Sequence, residues 1–339
     1  VANKLSVAVV EGGASMEAEV SRASARGVSD ALAQAGHAVA RLELDARLAE
    51  SLRTGGYDVV FPVAHGAVGE DGALQGLLEV LDVPYVGSGV LASALAMDKA
   101  VARRVLALEG LPVARGIAVR RPSGVDPSAA ALEAVLRARA EIGRRLVVKP
   151  SSQGSALGVA RFDEGALTEE IANALVFAWR LDEVCLLEHF ARGRELTCGV
   201  LDVLAEGGPR ALPPTEIVSP HDAFYTYEAR YAPHRSVHTC PADIGDALTG
   251  VVEAMAVAAH RALGCRDLSR VDLILGDGAS PDTVTLLEVN TMPGFTPTSL
   301  YPEAAAKAGI PLAKLCDTLV RAAQGRGATR RHAARPLPT

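Results

Sequence analysis

The stretch from Ser269 to Leu300, SRVDLILGDGASPDTVTLLEVNTMPGFTPTSL, constrains this chain more than any other. Two apolar runs, Val271 to Leu275 and Val284 to Val289, flank a cluster of Gly, Asp, Ser and Pro, a pattern that predicts a β-hairpin. Strand side chains alternate faces, so Arg270 and Asp272 share one side of the first strand, and Glu288 and Asn290 share one side of the second. Pairing Asp272 with Glu288 sets two carboxylates with Cβ atoms about 5 Å apart, which is unfavourable for like charges. A divalent cation between them removes the repulsion.

Asp, Glu and Asn all offer oxygen, the hard donor that suits Mg²⁺, and Mg²⁺ leaves coordination positions to water and phosphate. The expected metal set is Asp272, Glu288 and Asn290, and the expected partner is a nucleoside triphosphate. A hairpin whose polar face simply meets solvent is the competing reading. The turn-rich run from Thr291 to Leu300, joined directly to the carboxylate strand, weighs against it, because binding residues concentrate on such loops.

At 339 residues the chain is longer than one hydrophobic core usually supports, so two or three domains are expected. A net charge of -6 leaves no electrostatic footprint for nucleic acid. No apolar run reaches the roughly 18 residues of a membrane span, and the first residues lack a signal-peptide pattern. The expectation is a cytoplasmic protein with no membrane partner. Cys185, Cys198, Cys240, Cys265 and Cys316 stand singly, without Cys-x-x-Cys spacing, which argues against disulfides and structural zinc. They read as buried thiols. Residues 326–339 mix Gly, Arg and Pro without an apolar period and read as a disordered tail.

From the start, the apolar run Leu5 to Val10, the turn Glu11 to Ser15 and a helical pattern from Glu17 to Ala35 open an α/β unit. Strands around Tyr57 to Val63 and Val83 to Val86 continue it. The turn is not GxGxxG, so a dinucleotide fold is weakly supported. Glu17 alone is explained by the helix dipole, which favours a carboxylate at that end. The segment His65-Gly66-Ala67-Val68-Gly69-Glu70-Asp71-Gly72 then follows a strand, where open α/β sheets form their ligand crevice. The run VLASALAMDKAVARRVLALEG reads as one helix leading to a second domain, with Lys99 inside it. Residues 115–188 alternate as strand, helix, strand, loop, strand, helix, strand. Within them Lys149 ends an apolar strand, and Ser151 to Val159 form a Gly/Ser-rich loop whose N–H groups can wrap phosphate. It is not a Walker A motif. Residues 220–241 are a long polar and aromatic segment of the kind that serves as a lid. Helices are expected from Ile244 to Leu263 and from Pro311 to Ala323.

Taken together, RVD, LLEVNTMPGFTPTSL, HGxxGEDGxLQGLLE and KPxxxGSxxGV resemble the ATP-grasp ligases, and within them the D-alanine–D-alanine ligase family. The resemblance covers about residues 5–325. It implies a three-domain ATP-grasp fold, α/β and α+β: an N-terminal open parallel-sheet domain (1–97), a small central α+β unit with the glycine-rich loop (98–188), and a C-terminal domain with the metal hairpin (189–325). It implies ATP and Mg²⁺, with Mn²⁺ as a substitute, D-alanine as substrate, and a homodimer. ATP would meet Lys99, Lys149, Gly154, Glu188, Glu195 and Arg230. Glu17 would hold the first ammonium and link through Ser155 to Tyr231, and Arg270 would stabilise the oxyanion. His65, Gly294, Ser299 and Leu300 would lie against the amino acids.

The chain departs from the family pattern at His189, where a lysine is usual, at Ala156, where a second serine is more common, and at Arg230, where a lysine is common. Arg and Lys differ in geometry even where charge is kept. The implied activity is ATP-dependent ligation of two D-alanines through an acylphosphate, for peptidoglycan precursors. The alternative within the fold is a ligase with another acceptor: D-lactate, D-serine or a secondary-metabolite amine. From other classes come a nucleotide-binding protein without ligase activity and a nicotinamide-dependent oxidoreductase. The retained metal ligands and the missing GxGxxG speak against these two.

Overall fold

The computed structural model describes residues 3–203, 207–218 and 236–328. The first sheet is parallel, in the order β2-β1-β3, built from β1 (Ser6–Glu11), β2 (Ala38–Glu43) and β3 (Val59–Pro62). Helices α1 (Ala18–Gln34), α2 (Leu48–Gly55) and α3 (Ala73–Val80) connect and cover it. Val7 to Val10 are fully buried, as expected of a central parallel strand covered on both faces. The segment Val83 to Val86, expected as a strand, supplies a single parallel bridge between Val60 and Tyr85. Pro84 has no N–H to extend the ladder, and after the Val86 amide, which donates to the Val60 carbonyl at 2.9 Å, that of Gly87 turns away to donate to Asp267 at 2.7 Å.

The run that reads as one helix from Val90 is two, α4 (Val90–Met97) and α5 (Lys99–Leu108). Asp98 breaks it: its backbone is extended, and its carboxylate caps the second helix by accepting from the amides of Ala100 and Val101. Ser151 donates to the same carboxylate at 2.6 Å. Lys99 therefore starts a helix at the foot of the glycine-rich loop instead of lying mid-helix in solvent.

The second sheet, in the order β4-β7-β5-β6, is antiparallel. It follows the expected alternation: β4 (Gly116–Arg120), α6 (Pro127–Glu141), β5 (Leu146–Pro150), β6 (Ala160–Phe162), α7 (Thr168–Ala178) and β7 (Val184–His189). Its own core gathers Val135, Leu146, Ile171, Leu175 and Trp179.

The third sheet runs β11-β10-β8-β12-β13, with β9 beside β8. Its strands are β8 (Gly193–Val203), β9 (Gly208–Ala211), β10 (Thr215–Val218), β11 (Val237–Thr239), β12 (Asp267–Gly276) and β13 (Val284–Asn290). Helix α8 (Asp246–Ala262) packs on it, and Ala102 and Leu106 of α5 join the same core with Leu196, Val271 and Val289. β12 and β13 are the predicted hairpin, with Asp272 directly opposite Glu288.

Helix α9 (Leu300–Lys307) and helix α10 (Leu312–Arg326) close the described chain. α10 returns to the first sheet, where Leu315, Leu319 and Val320 share a core with Val7, Val28 and Leu32. Phe295 stands edge-on to Phe61 in that core, with centroids 5.3 Å apart. Arg326, assigned to the tail by composition, is the last residue of α10. Its guanidinium meets the buried Asp267 at 2.6 Å, and a buried carboxylate needs such a partner.

Cys185, Cys198, Cys265 and Cys316 are buried as expected, whereas Cys240 is only half-buried. Burial pushes the thiols of Cys185, Cys265 and Cys316 up to about 12, far from reactive thiolates. Among the described residues no helix is long and apolar enough to cross a membrane.

Candidate active site

Two clefts meet along the glycine-rich loop and the carboxylate hairpin. The first, of about 680 Å³, is lined by Glu17, His65, Gly154, Ser155, Arg270, Asn290, Gly294, Ser299 and Leu300. Nine positions scattered from the entrance of the first helix to α9 are thus brought together; the sequence reading singles out all nine, with Gly154 assigned to nucleotide and Asn290 to metal. The second, of about 790 Å³, is lined by Lys99, Lys149, Glu188, Glu195 and Glu288, together with apolar atoms of Val147, Val159, Phe190 and Leu287. Arg230 and Tyr231 lie outside the described residues.

Glu17 precedes α1 and is buried. Ser155 donates its hydroxyl to the Glu17 carboxylate. Two glycines let the backbone come this close: a Cβ on Gly154 would sit 2.6 Å from Glu17 Oε2, and one on Gly66 2.9 Å from the same atom. Gly154, expected to meet nucleotide, therefore borders the first cleft, and Gln153 and Ala156 border the second. Ser155 and Ala156 both adopt left-handed backbone, at φ 48° and 57°. For residues with a side chain this costs on the order of 1 kcal/mol or more each, so the loop tip is held in a strained shape beside the site.

Burial raises the Glu17 pKa above the usual carboxylate value, the neighbouring Glu70 raises it further, and the Ser155 hydrogen bond opposes the rise. Glu70 was part of the His-Gly signature but was not singled out as a site residue. It meets His65 Nδ1 at 3.2 Å and accepts from the Gly66 amide at 2.7 Å. Burial alone would depress His65, yet the hydrogen bond and charge of Glu70, with Glu17 beyond, lift its pKa above the ordinary imidazole value.

On the hairpin, Arg270 grips Asp272 as a fork, with nitrogen–oxygen distances of 2.9 and 2.8 Å. Thr197 donates to Asp272 at 2.6 Å and the Asn290 amide at 3.3 Å. Asp272 thus stands behind the cleft wall, while Glu288 borders the second cleft and Asn290 the first. No cluster of three or more His, Cys, Asp or Glu suited to a metal occurs among the described residues. The hairpin instead offers two carboxylates and one amide oxygen, a small set of hard donors that fits a Mg²⁺ completing its shell with phosphate and water.

Lys99 Nζ reaches Glu288 at 3.2 Å and donates to the Gln153 carbonyl at 2.7 Å, tying hairpin, helix start and loop together. Lys149 pairs with Glu188 at 2.6 Å. Arg103, which sequence reasoning missed, approaches Glu188 at 3.6 Å and clamps the carbonyls of Ala114 and Gly116. Glu188, expected to contact nucleotide directly, is buried and held between these two cations.

His189 carries its ring outside the core, while its backbone amide donates to Arg115 at 2.7 Å. Burial, with Arg145 and Arg115 nearby, lowers its pKa below the usual imidazole value. The shift disfavours a positive charge where a lysine would carry one. Ser299 stands at the start of α9 without capping it and turns its hydroxyl to Thr296, accepting from that amide at 2.9 Å. A Cβ on Gly294 would come 2.8 Å from the Ser299 hydroxyl, so only glycine allows this tight approach.

Comparison with known proteins shows the family of the chain. The family model described as D-ala D-ala ligase C-terminus matches residues 105–321, and that described as D-ala D-ala ligase N-terminus matches residues 43–88. A D-alanine–D-alanine ligase of Gluconobacter oxydans is 42% identical over 329 residues, covering 95% of this chain and 100% of that protein. One of Pelotomaculum thermopropionicum is 40% identical over 320 residues, covering 94% and 96%. Among solved structures, the D-alanine–D-alanine ligase of Coxiella burnetii superposes with a TM-score of 0.78 at 28% identity, covering 96% of this chain and 95% of that one. The Bacillus anthracis enzyme complexed with ATP gives 0.76 at 26% identity, covering 97% and 100%.

Proposed function

We infer the chemistry of the two clefts from the premise that this chain belongs to the D-alanine–D-alanine ligase family. It is an ATP-dependent ligase that joins two D-alanines to D-alanyl-D-alanine for peptidoglycan precursors. The observation that carries this reading is the shared wall: one loop, 153–156, and one hairpin line both clefts. The clefts thus lie on either side of the same loop and hairpin, which sets the phosphoryl donor of the second beside the acceptor of the first.

In this reading residues 1–97 supply the first amino acid's pocket, 98–188 one side of the nucleotide cleft, and 189–325 its other side and the hairpin. Glu17, buried and fixed by Ser155, receives the ammonium of the first D-alanine. That cation offsets the burial and the Glu70 repulsion, so the carboxylate is ionised when substrate is bound. Ser299 and the first amides of α9 are placed for the second carboxylate, at the positive end of a helix. His65, held by Glu70, borders the same cleft.

ATP lies in the second cleft between Val147, Val159, Phe190 and Leu287, its phosphates toward Lys99 and Lys149. Glu288 and Asn290, with Asp272 behind them, would hold Mg²⁺, which would supply positive charge to offset that of the phosphates. Arg270, kept rigid by its fork on Asp272, faces the first cleft and stabilises the oxyanion that forms when the second amine attacks the acylphosphate. Arg230 and Tyr231 belong to the same proposal, as does a homodimer.

The test is phosphate release from ATP and Mg²⁺ with D-alanine, the product mass read alongside, and L-alanine, D-serine and D-lactate as parallel acceptors. D-alanyl-D-alanine as the dominant product is the expected result. Turnover only with another acceptor would move the chain to a different ligase of the same fold.

A further inference from the structure

We propose that His238 is a positioning residue for the second amino acid's subsite, fixing the first turn of α9 through Glu303. The proposal rests on the reading of the first cleft given above. α9 brings Ser299 and Leu300 to that cleft. Its core side is anchored by the buried Tyr301, which donates to the Val200 carbonyl at 2.9 Å. Another side meets the edge of the third sheet. His238 on β11 stands directly opposite Ile217 on β10, so the two side chains share one face of the sheet. Leu300 forms a small buried cluster with Ile217. Glu303, three residues further on and on the same face of α9, meets His238 Nδ1 at 3.0 Å.

One strand pair thus holds one helix face by an apolar and a polar contact. An ionised carboxylate can only accept, so Nδ1 carries the proton of this bond. Nε2 lies 3.2 Å from the Ser236 hydroxyl, and the ring is oriented from both sides. The helix dipole alone explains an acid in the first turn of α9. It gives that acid no reason to meet a histidine that a second hydrogen bond already orients.

The consequence falls on one ligand of three. Ser299 and the first amides of α9 are the groups placed for the second carboxylate. The first amino acid and ATP are assigned to Glu17 and to Lys99 and Lys149, which stand on other elements. Loosening the first turn of α9 should therefore weaken the second amino acid and leave the other two ligands as they are.

The experiment is phosphate release by the full chain, with ATP and Mg²⁺, over a wide range of D-alanine. The rate rises with the square of concentration while both sites are empty and linearly once the first is filled, so two constants separate. His238→Ala should raise the second about tenfold, the scale of a partly exposed hydrogen bond to a charged group. The first constant and the KM for ATP should stay within about twofold. His238→Asn, whose amide can stand where Nδ1 does, should recover most of the loss. Glu303→Ala should behave as His238→Ala does, and the double variant should be no weaker than Glu303→Ala alone, since both act through one contact.

A second constant that moves by less than about twofold, equal rises in all three constants, or additive losses in the double variant would overturn the proposal. So would an asparagine no better than alanine. Should thermal unfolding show His238→Ala to be misfolded, Glu303→Ala is read in its place. Hydrogen exchange at the start of α9 is followed on the same proteins without substrate, and it should quicken in His238→Ala but not in His238→Asn. A wild type that forms no D-alanyl-D-alanine would fail the ligase reading alone. Exchange would then judge His238 by itself, and an unchanged rate at the start of α9 would overturn its hold on the helix.

Discussion

Ser155 donates its hydroxyl to Glu17 across a sequence separation of 138 residues, joining the strained tip of the glycine-rich loop to the entrance of the first helix. Loop order and amino-acid binding are thereby one event. Ser155→Ala should lower kcat/KM for D-alanine by roughly 10- to 100-fold, the worth of a hydrogen bond to a charged group. The KM for ATP should stay within about twofold, because the phosphate lysines are untouched. Steady-state kinetics with each substrate varied decide it, and a loss confined to ATP would refute the link.

Glu17→Gln should abolish most activity yet stabilise the empty protein at neutral pH. The Glu17 pKa is raised in the folded state from an ordinary value of 4.5. A raised carboxylate favours folding below its unfolded pKa, and that contribution is lost as pH rises through the folded pKa. The variant should therefore melt above the wild type at pH 7.5, and the gap should narrow as pH falls through the raised value toward 4.5. Melting curves across that window test this. A wild type more stable than the variant at pH 7.5 would reverse the sign.

The hairpin was legible in the sequence from its two apolar runs and the turn residues between them, but the pairing of Asp272 with Glu288 also depends on a register shift between Asp272 and Leu273 that no sequence signal announces. The glycine-rich loop was legible because its Gly and Ser residues follow a lysine-ended strand. Other features are fixed only by tertiary contacts. The break at Asp98 is hidden in an unbroken helical pattern, since its cause is partly Ser151 on another element. β2 lies at a sheet edge with half-exposed side chains, so no apolar run announces it. Arg103 and Arg161 resemble any solvated arginines until folding sets them against Glu188 and Glu195.

Glu288→Gln should reduce turnover by about 100-fold or more and raise the Mg²⁺ concentration needed for half the maximal rate. The amide keeps the side-chain shape but loses the charge that faces Lys99 at 3.2 Å. An unchanged melting temperature would show that the fold is intact. Near-normal turnover at low Mg²⁺ would remove Glu288 from the proposed ligand set.

Arg270→Lys should lower kcat by roughly 100-fold with little change in either KM, because a point charge cannot reproduce the fork on Asp272. The measurement is kcat and KM under saturating Mg²⁺. A rise in KM for D-alanine with kcat preserved would mark Arg270 as a ground-state binding group.

Arg326→Ala should destabilise the protein without altering either KM. Asp267 is buried, held in left-handed backbone at φ 63°, and its carboxylate is met by Arg326 at 2.6 Å and by the Gly87 amide at 2.7 Å. Removing the arginine leaves a buried charge short of its main partner, a loss of about 3–5 kcal/mol. For a protein of this size that corresponds to a melting temperature lower by roughly 4–7 °C. Adding Asp267→Asn should recover part of the loss, since asparagine tolerates left-handed backbone and carries no charge that needs a counter-ion. A double variant no more stable than Arg326→Ala would place the loss in the packing of α10 and not in the stranded carboxylate.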